Sequence, residues 1–369
     1  MKIGVISEVF LPNIGGMEIR YNELGQTLIK QGHEFEIYTL RLNPSDLAKD
    51  IVNGIPVYRI TKAFRYFTSI WGLRNYPDVI WFTLDLLKQK KELEKFDVII
   101  FNKWPVIPSI VLPFFIKNKF VIDWCEIYDT TFWRFIYRLM TWRKEILHSC
   151  VNQRIGNILN EQYGVSRNNI KAIISGIDSS LYSCKSEDKK NKSILFLGRL
   201  AQHKNPEYVI KAFLYNQLGE KKYELNLAGS GPLYESLKSQ YDNQHNIKFW
   251  GRVDESQKND LIKQSTLLVL PSKREGFPVV CAEGAAAGTP VLTVIYPDNG
   301  TVSVVTQFGI GWLANPNLEE LAEKIERYGD CNYWEWHPVS RRCVEMAETV
   351  FDWNVVVDDL LKFLARKLP

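Results

Sequence analysis

The sequence lacks the patterns of a disulfide framework, a zinc site or a secreted protein. Its six cysteines are scattered through 369 residues, with no C-x-x-C pair and no histidine at metal-ligand spacing from them. This distribution favours reduced thiols in a cytoplasmic setting and argues against a zinc site. The N-terminal MKIGVISEVF enters a strand-like run directly and carries no signal-peptide pattern.

Long hydrophobic runs and a strong charge of either sign are also missing. The longest apolar stretch, VIPSIVLPFFI (106–116), is too short to span a bilayer and contains two prolines. A net charge of +4 is small for this length and gives no indication of nucleic-acid binding. With 46% hydrophobic and 24% charged residues, the composition is that of a globular protein, and the length predicts two domains.

The first half of the chain alternates strand-like and helix-like segments. KIGVIS (2–7) is followed by a loop, by a helical pattern that Gly32 is expected to end, and by the strand HEFEIYTL (33–40). Further predicted strands are FDVIIFN (96–102) and KFVIDW (119–124). This alternation predicts a parallel sheet with helices on both faces.

The composition changes at YSCKSEDKKNKS (182–193), which is polar, lysine-rich and typical of a linker. Five strand-like runs then alternate with helical material, at 193–198, 223–229, 247–251, 266–272 and 290–295. We therefore predict two Rossmann-like α/β domains, residues 1–185 and 186–349, facing each other across a central cleft. The amphipathic segment at about 350–369 is predicted to be a helix that packs back on the first domain.

The stretch SKREGFPVVCAEGAAAGTPV (272–291) places the carboxylate of Glu283 in a segment otherwise suited to burial. Pro278 suits the first position of a helix that ends near Gly288, and a helix with almost no polar face should be buried. A buried carboxylate is costly unless its oxygens are hydrogen-bonded. Two interpretations stay open: a pair with an arginine inside the domain, or acceptance of two protons from a ribose diol.

The same stretch resembles a known motif. Glu275 and Glu283, in E-G-F-P-V-V-C-A-E, are similar to the E-x7-E motif of retaining GT-B glycosyltransferases, in particular glycosyltransferase family 4, and the match extends through Ala286 to Val291. Three further segments resemble family segments in the same order. The resemblance is close over 193–315, looser over 1–182, and implies the GT-B fold.

The segment FLGRLAQHKNPEYVIKAF (196–213) resembles the family's G-R-L-x-x-x-K-G start of the C-terminal domain. The resemblance implies that Arg199 and Lys204 reach the diphosphate of a nucleotide sugar. Cations there stabilise the charge that develops on the departing nucleoside diphosphate. The alternative is a pair of solvated surface charges. Asn205 stands where the family commonly has glycine.

Two further glycine-containing segments resemble nucleotide-contacting parts of the family. LAGSGPL (227–233) is similar to the family's G-x-G-P segment and places Gly229 near the nucleotide. IKFWGRVD (247–254) resembles the strand whose following backbone meets the base, which implicates Arg252 and Val253.

Gly15 and Gly16 precede the first helix. Glycines there let backbone N–H groups at a helix N-terminus approach an anion, although a plain turn is an equally good interpretation. The family uses this loop against the donor phosphate and the acceptor.

The first domain departs from the family at one position. Many members place a histidine after a strand of this domain, near the sugar, but the corresponding region here reads KFVIDWCEIYD and contains none. Asp123 and Glu126 are the polar groups available, and one of them is expected to contact the acceptor or the donor sugar. The alternative is that Asp123 caps the following segment and Glu126 is solvated.

Two segments combine aromatic and basic residues. TFWRFIYRLMTWRK (131–144) has four basic residues, five aromatics and no acid, and AFRYFTSIWGLRNYP (63–77) is similar. One interpretation is a buried helix with a narrow solvated stripe. The other is an interfacial surface that rests on anionic lipid headgroups, which is our hypothesis because the family binds its acceptor with this half of the chain.

The resemblance implies transfer of a glycosyl unit, with retention, from a UDP-, GDP- or ADP-sugar to a glycan or lipid-linked acceptor. Glu283 would hold the ribose and Glu275 the donor sugar. The chain has no D-x-D motif, consistent with a metal-independent site, and no cofactor is expected. The alternatives are a nucleotide-sugar epimerase and an inactive partner subunit; the intact Arg199, Lys204 and Glu275 argue against the second.

The predicted catalytic residues are Glu275, Arg199, Lys204, Asp123 and Glu126. The predicted nucleotide-sugar-binding residues are Gly15, Gly16, Arg199, Lys204, Gly229, Arg252, Val253, Glu275, Gly276, Phe277, Pro278, Val279 and Glu283. The backbone N–H groups of Phe277 to Val279, at a helix N-terminus, are expected to complete an anion site. We expect a cytoplasmic protein with peripheral contact to an anionic membrane face and no nucleic-acid partner.

Overall fold

The computed structural model describes residues 1–13, 15–64, 66, 75–128, 130–182 and 189–365. The chain divides into two compact units, unit 1 being Met1–Ile174 with the residues from Val357 onward, and unit 2 being Ser175–Val356. The predicted domain boundary at 185/186, and much of the predicted linker around it, lie outside the described residues, as does most of the basic–aromatic segment 63–77.

Unit 1 is built on an eight-stranded sheet. Its strands are β1 (Lys2–Ile6), β2 (Glu34–Arg41), β3 (Lys49–Val52), β4 (Ile55–Lys62), β5 (Val98–Asn102), β6 (Lys119–Trp124), β7 (Leu147–Cys150) and β8 (Ile170–Ala172). Its helices are α1 (Gly16–Lys30), α2 (Tyr76–Lys88), α3 (Lys90–Leu93), α4 (Val106–Phe115), α5 (Thr131–Met140) and α6 (Gln153–Tyr163).

The strand order in unit 1 is β3-β4-β2-β1-β5-β6-β7-β8, and only β3 runs antiparallel to its neighbour. Strands such as β5, KFVIDW in β6 and β7 are buried over nearly their whole length, as strands of a sheet covered on both faces must be. The strand order reverses direction between β1 and β5, so the loops that follow these two strands lead to opposite sides of the sheet. Open sheets of this kind bind ligands at such a position.

Unit 2 carries a six-stranded parallel sheet and a two-stranded ribbon. Its strands are β9 (Ser193–Leu197), β10 (Glu224–Ala228), β11 (Ile247–Gly251), β12 (Leu267–Leu270), β13 (Arg274–Glu275), β14 (Val291–Val294), β15 (Asp298–Asn299) and β16 (Gly311–Ala314). Its helices are α7 (Pro206–Tyr215), α8 (Tyr234–Tyr241), α9 (Glu255–Gln264), α10 (Val279–Ala286), α11 (Gly300–Phe308), α12 (Leu318–Gly329) and α13 (Trp336–Met346).

The main sheet of unit 2 has the order β11-β10-β9-β12-β14-β16, with β13 and β15 paired separately beside it. Leu225, Leu227, Leu267, Val269 and Leu292 lie in its core and are almost completely buried. The predicted α/β class with parallel sheets is confirmed in both units.

Two helix ends show how local sequence sets the boundaries. Helix α1 ends at Lys30, and Gly32 follows at φ +84°, the left-handed conformation that glycine adopts without steric cost. Helix α10 begins one residue later than predicted, at Val279, so Pro278 is its N-cap rather than its first helical residue. Gly288 ends the turn after α10 at φ +64°.

A last helix, α14 (Trp353–Ala365), starts in unit 2 and continues into unit 1. In unit 1 its Asp359 forms an ion pair of 3.2 Å with Lys171 on β8. Among the helices that the structure describes, none combines the length and the apolar character needed to cross a bilayer.

Candidate active site

The carboxyl ends of three neighbouring strands of unit 2 approach each other closely. The N–H of Gly229, after β10, donates to the carbonyl of Gly251 at 2.7 Å. Gly229 has φ +132°, and a Cβ there would lie 2.0 Å from the carbonyl oxygen of Gly198, after β9. No other residue fits this position. This close backbone approach brings together, at one edge of the sheet, the loops that carry Arg199 and Arg252. Both side chains are exposed.

Lys204 and Glu275 form an ion pair at this edge. The backbone of Glu275 is fixed by strand pairing with Asn299 in the β13–β15 ribbon. The N–H of Lys273 donates to the carbonyl of His203 at 2.7 Å, which ties the Glu275 turn to the turn that carries Lys204. The structure thus joins two predicted site residues that are 71 positions apart in sequence.

His203 lies within this charged cluster and was missed by the sequence analysis. Burial lowers the pKa of its imidazole, and the neighbouring Lys204, Arg274 and Arg199 lower it further, against the opposite effect of Glu275. His203 is therefore neutral at pH 7 and offers one ring N–H donor and one acceptor. Its position directly before Lys204 was the signal that the sequence offered.

Glu283 is buried on α10, as the sequence required. The next residue, Gly284, explains the close packing of this helix on β12, because a Cβ there would lie 2.8 Å from Leu268 Cδ1. The Tyr182 hydroxyl donates to Glu283 Oε1 at 2.9 Å, and Lys258 Nζ on α9 donates to the same oxygen at 2.8 Å. The carboxylate is thus paired inside its own unit, with a lysine and a tyrosine where the first interpretation expected an arginine.

Both contacts on Glu283 fall on one oxygen. Within the described part of the chain, no side chain donates to Oε2, so this oxygen keeps its capacity to accept hydroxyl protons. Burial alone lowers the pKa of Lys258, but the carboxylates of Glu283 and Glu255 outweigh burial and raise it above its ordinary value. Lys258 therefore stays charged. Tyr182 and Lys258 lie 101 and 25 positions from Glu283 in sequence, and neither was singled out as a site residue.

The turn between Glu275 and α10 is packed from two sides. A Cβ on Gly300, at the start of α11, would lie 1.9 Å from the carbonyl oxygen of Gly276, so the two backbones are in direct contact. The Phe277 ring meets the Phe351 ring edge to face at 6.3 Å. The turn delivers Val279 to the first turn of α10, where backbone N–H groups have no partner within the helix. Such a helix N-terminus favours an anion.

In unit 1, Gly15 and Gly16 lie at the N-terminus of α1, Gly15 being the N-cap. A carboxylate accompanies them, since a Cβ on Gly15 would lie 2.3 Å from Glu18 Oε2. Burial raises the pKa of Glu18, and the nearby Glu8 raises it further. The predicted phosphate contact of the two glycines stays a prediction.

Asp123 is buried at the end of β6 with a side-chain exposure of 3%. Its Oδ2 accepts from Arg20 Nε at 3.2 Å and from the Tyr21 hydroxyl at 3.1 Å, and its Oδ1 accepts from the Ser149 hydroxyl at 2.7 Å. Arg20 is itself buried, and this pair links α1 to the sheet. The geometry favours a structural role, and the predicted sugar contact of Asp123 stays a prediction.

Glu126, three residues further on, is accessible. Its side chain is 39% exposed, it accepts a short hydrogen bond from the Tyr128 hydroxyl, and Lys103 Nζ lies 3.9 Å away. A carboxylate fixed by a tyrosine and a lysine, with surface left over, is suited to contact a polar ligand. Of the two acidic candidates, Glu126 has the geometry for this role.

Family models match almost the whole chain. A model described as Glycosyltransferase Family 4 matches residues 14–181, and one described as Glycosyl transferases group 1 matches residues 183–348. The chain belongs to glycosyltransferase family 4. It is similar to an uncharacterized glycosyltransferase of Methanocaldococcus jannaschii, with 25% identity over 89% of this chain and 88% of that protein.

Two solved structures show the fold of this family-4 glycosyltransferase. Sucrose-phosphate synthase from Thermosynechococcus elongatus aligns with a TM-score of 0.76 and 16% identity, over 99% of this chain and 98% of that one. Anabaena HepE in complex with UDP aligns with a TM-score of 0.77 and 17% identity, over 99% and 100%. The predicted GT-B fold is confirmed.

The glycosyltransferase brings its predicted unit 2 residues together in two places. Lys204 pairs with Glu275, and both, with Arg199, act on the pKa of His203 at the strand edge. Glu283 lies within α10, after the turn 276–279. Of the two predicted base contacts, Arg252 is exposed and Val253 is half-buried at the same edge.

Proposed function

We propose that this glycosyltransferase transfers a glycosyl unit, with retention at the anomeric carbon, from a UDP-, GDP- or ADP-sugar to a glycan or lipid-linked acceptor. The observation that carries the proposal is the arrangement of Glu275 and Glu283. Each lies on the same strand–turn–helix, and each carboxylate is paired with its own lysine, Lys204 and Lys258. This provides two separately held carboxylates for two parts of one ligand.

The cationic cluster suits a diphosphate. Lys204, Arg199 and Arg274 all act on His203, so their charges lie close together. A diphosphate entering there would share Lys204 with Glu275 and accept hydrogen bonds from the α10 N-terminus. Because developing charge on the leaving group is stabilised by fixed cations and N–H groups, this arrangement would promote departure of the nucleoside diphosphate.

Glu283 would bind the ribose. Its Oε1 accepts from Tyr182 and Lys258, and its Oε2 would accept from a ribose hydroxyl. Glu275 would accept from hydroxyls of the donor sugar. Held by Lys204 and by the β13–β15 ribbon, its carboxylate would need little reorganisation on binding.

In the transfer itself, the bond from the anomeric carbon to the diphosphate breaks and a bond to the acceptor hydroxyl forms on the same face. The hydroxyl proton passes to the departing diphosphate oxygen. No enzyme nucleophile is needed, so positioning and electrostatics carry the rate enhancement. Glu126 would orient the acceptor or the sugar. The cations of the cluster would neutralise the phosphate charge without a metal ion.

The first experiment is a thermal-shift screen with UDP, GDP and ADP. A ligand that binds only the folded state raises the melting temperature, so one nucleotide is expected to stabilise the protein more than the others. UDP is tested first because the structural neighbour HepE was solved with it. If no nucleoside diphosphate raises the melting temperature or gives heat in calorimetry, the proposed function is wrong.

The second experiment identifies the reaction. The matching nucleotide sugar is incubated with acceptor extracts, with and without EDTA, and the anomeric configuration of the product is read by NMR. Retention and activity in EDTA are expected. Conversion of the nucleotide sugar to a second nucleotide sugar without any acceptor would instead identify an epimerase. Tight binding with neither product would identify an inactive partner subunit.

A further inference from the structure

Exposed large hydrophobic side chains are concentrated on one layer of unit 1. Of the 19 in the described part of the chain, ten belong to α2, α4, α5 and the residue Trp142 just after α5. The crossovers β4→β5, β5→β6 and β6→β7 all run in one direction along the sheet, so right-handed connections place α2, α4 and α5 on the same face. Adjacent helices of this layer, α2 with α4 and α4 with α5, are in contact.

Helix α5 is anchored in a defined rotation. The buried ammonium of Lys103 lies 4.1 Å from the ring centroid of Tyr128, 5.4 Å from that of Tyr137 and 5.7 Å from that of Trp133. Ring faces stabilise a desolvated cation, so Trp133 and Tyr137 of α5 are held inward. The sequence pattern also allowed a buried helix with a narrow solvated stripe. In the structure, only the inner face of α5 is buried.

The opposite face of α5 is apolar and open to solvent. Phe132, Phe135 and Leu139, spaced three and four residues apart, are 57%, 60% and 38% exposed. Such spacing puts them on one stripe of the helix. Three large apolar side chains on a solvent-facing stripe are unusual for a helix that has no partner there.

The stripe continues onto the end of α4. Phe114 and Phe115 are each 55% exposed and Trp142 is 67% exposed. The Phe114 and Trp142 rings lie 5.9 Å apart, and the Arg143 guanidinium lies 5.4 Å from the Phe114 ring while donating to the carbonyl of Pro113. We call the six residues the aromatic surface: Phe114, Phe115, Phe132, Phe135, Leu139 and Trp142.

The surroundings of the aromatic surface are mainly basic, and the acid Glu145 beside it pairs with Arg143. Segments 106–119 and 130–144 contain six lysines and arginines and no acidic residue, whereas the whole chain has a net charge of only +4. Lys117, Arg138 and Lys144 are exposed. A groove beside α4 is lined by aromatic rings, by an excess of basic residues and by one acid, the described charged members being Lys90, Lys117, Lys119, Arg143, Lys144 and Glu145. Two copies of such a surface would repel each other.

We propose that the aromatic surface docks on a bilayer with anionic lipid headgroups. Phe132, Phe135 and Trp142 would enter the headgroup region, while Arg138 and Lys144 would pair with lipid phosphates. Aromatic rings beside lysine and arginine are the composition that binds this interface, because the rings bury apolar area and the cations stay at the charged level. The proposal goes beyond glycosyl transfer, and its test needs no sugar.

The test is co-sedimentation of the full chain with vesicles. Binding is expected to phosphatidylcholine mixed with phosphatidylglycerol at low salt, and to weaken at high salt because surface charges are screened. Little binding is expected to phosphatidylcholine alone. If the protein stays in the supernatant with anionic vesicles at low salt, the proposal is wrong.

Variants locate the contact. Phe135→Ser with Trp142→Ser should lower vesicle affinity about tenfold or more, since both rings lose their buried apolar area. Trp334→Ser, which removes a 72% exposed ring from unit 2, is the matched control and should bind as the parent does. Equal loss in this control would contradict the assignment.

A charge-reversal variant distinguishes loss of vesicle binding from loss of folding. Arg138→Glu with Lys144→Glu alters only exposed positions, should leave the melting temperature unchanged and should abolish the preference for anionic vesicles. Unchanged binding by this variant would overturn the proposal. So would a dimer, seen by sedimentation velocity, that the serine variants dissociate without any vesicle binding, because that outcome identifies the surface as an interface between copies.

Discussion

Lys258 Nζ lies 2.8 Å from Glu283 Oε1, the same oxygen that accepts from the Tyr182 hydroxyl at 2.9 Å. The pair orients the only carboxylate on α10 from one side. Two donors on one oxygen fix the plane of the carboxylate and direct Oε2 elsewhere. Lys258 and Tyr182 would therefore be positioning residues for the ribose that Glu283 is proposed to bind.

Lys258→Met should weaken binding of the nucleoside diphosphate identified in the thermal-shift screen by about tenfold, because the carboxylate loses a charge-assisted hydrogen bond that orients it. Calorimetry with the ribonucleotide and its 2′-deoxy and 3′-deoxy analogues checks the reason. The penalty for removing a ribose hydroxyl, large in the parent, should shrink in the variant.

Lys263→Met, on the same helix α9, is the control for Lys258. A uniform loss of affinity for all the nucleotides in Lys258→Met would show that the lysine only stabilises unit 2. If Lys258→Met bound the ribonucleotide as the parent does, and lost as much affinity as the parent when a ribose hydroxyl is removed, Lys258 would have no role in orienting Glu283.

The two carboxylates of the proposed donor site should differ in their kinetic effects. Glu283→Ala should mainly weaken nucleotide binding, whereas Glu275→Ala should lower kcat and leave the affinity for free nucleoside diphosphate largely intact. Calorimetry and initial rates with the nucleotide sugar separate the two effects. The assignment of roles would be reversed if Glu275→Ala lost nucleotide affinity and Glu283→Ala lost only kcat.

Lys204→Met should weaken binding of the nucleoside diphosphate far more than binding of the corresponding nucleoside. The lysine is a point charge in the cationic cluster, and removing it takes away about one charge-assisted contact of 1.5–3 kcal/mol with a phosphate. Lys211→Met is the control, because Lys211 pairs with Glu207 on the surface of α7. A similar loss in both variants would show a general charge effect.

Substitutions of Asp123 and Glu126 should differ in their effects on folding stability and on turnover. Asp123→Ala leaves the buried Arg20 guanidinium without its carboxylate, which should cost about 3–5 kcal/mol of folding stability. Glu126→Gln removes a half-exposed charge and should lower turnover at an unchanged melting temperature. Thermal melts and initial rates of both variants check this. An Asp123→Ala protein that melts normally but is inactive would restore Asp123 as a substrate contact.

His148 should make unit 1 sensitive to acid. Burial lowers the pKa of its imidazole from 6.5 to about 3, and its Nδ1 accepts from Trp124 Nε1 at 3.0 Å. The folded pKa lies below the unfolded value, so this stability is present above pH 6.5 and is lost as the pH falls toward about 3. Between about pH 7.5 and about pH 5 the loss should be about 2 kcal/mol.

Urea unfolding at both pH values, read on the near-ultraviolet signal, measures this loss. His148→Asn keeps an acceptor for the Trp124 indole without titrating, so it should flatten the pH dependence. His245→Gln, at an exposed position of unit 2, should leave it as in the parent. An equal acid dependence in His148→Asn would assign the effect to other groups.

Much of the fold could be predicted because it follows from local patterns. The β runs KFVIDW and IKFWG are found at the predicted residues, and Gly32 follows the end of α1 as expected. Both features are local, because hydrophobic periodicity and the conformational freedom of glycine depend only on neighbouring residues. The start of α10 was one residue off, because proline at that position fits both an N-cap and a first helical residue.

The site could be predicted only in part. Glu275, Glu283, Arg199 and Lys204 could be named as candidates because they lie in recognisable segments, and their roles toward a nucleotide sugar stay predictions. His203 and Lys258 were not singled out from the sequence. Nothing in the sequence indicated that Asp123 pairs with Arg20, 103 positions away, and the predicted sugar contact of Asp123 stays a prediction. Which carboxylate is buried in an ion pair depends on neighbours that no spacing rule connects.

The sequence by itself determined the alternation of strands and helices, the family and the residues available for charge. Only the tertiary structure decided which of these meet: Lys204 with Glu275, Lys258 with Glu283, and the inward rotation of α5 over Lys103 that leaves the aromatic surface outside. The reason is physical. Local preferences act between neighbours along the chain, whereas burial and ion pairing are set by side chains that only folding brings together.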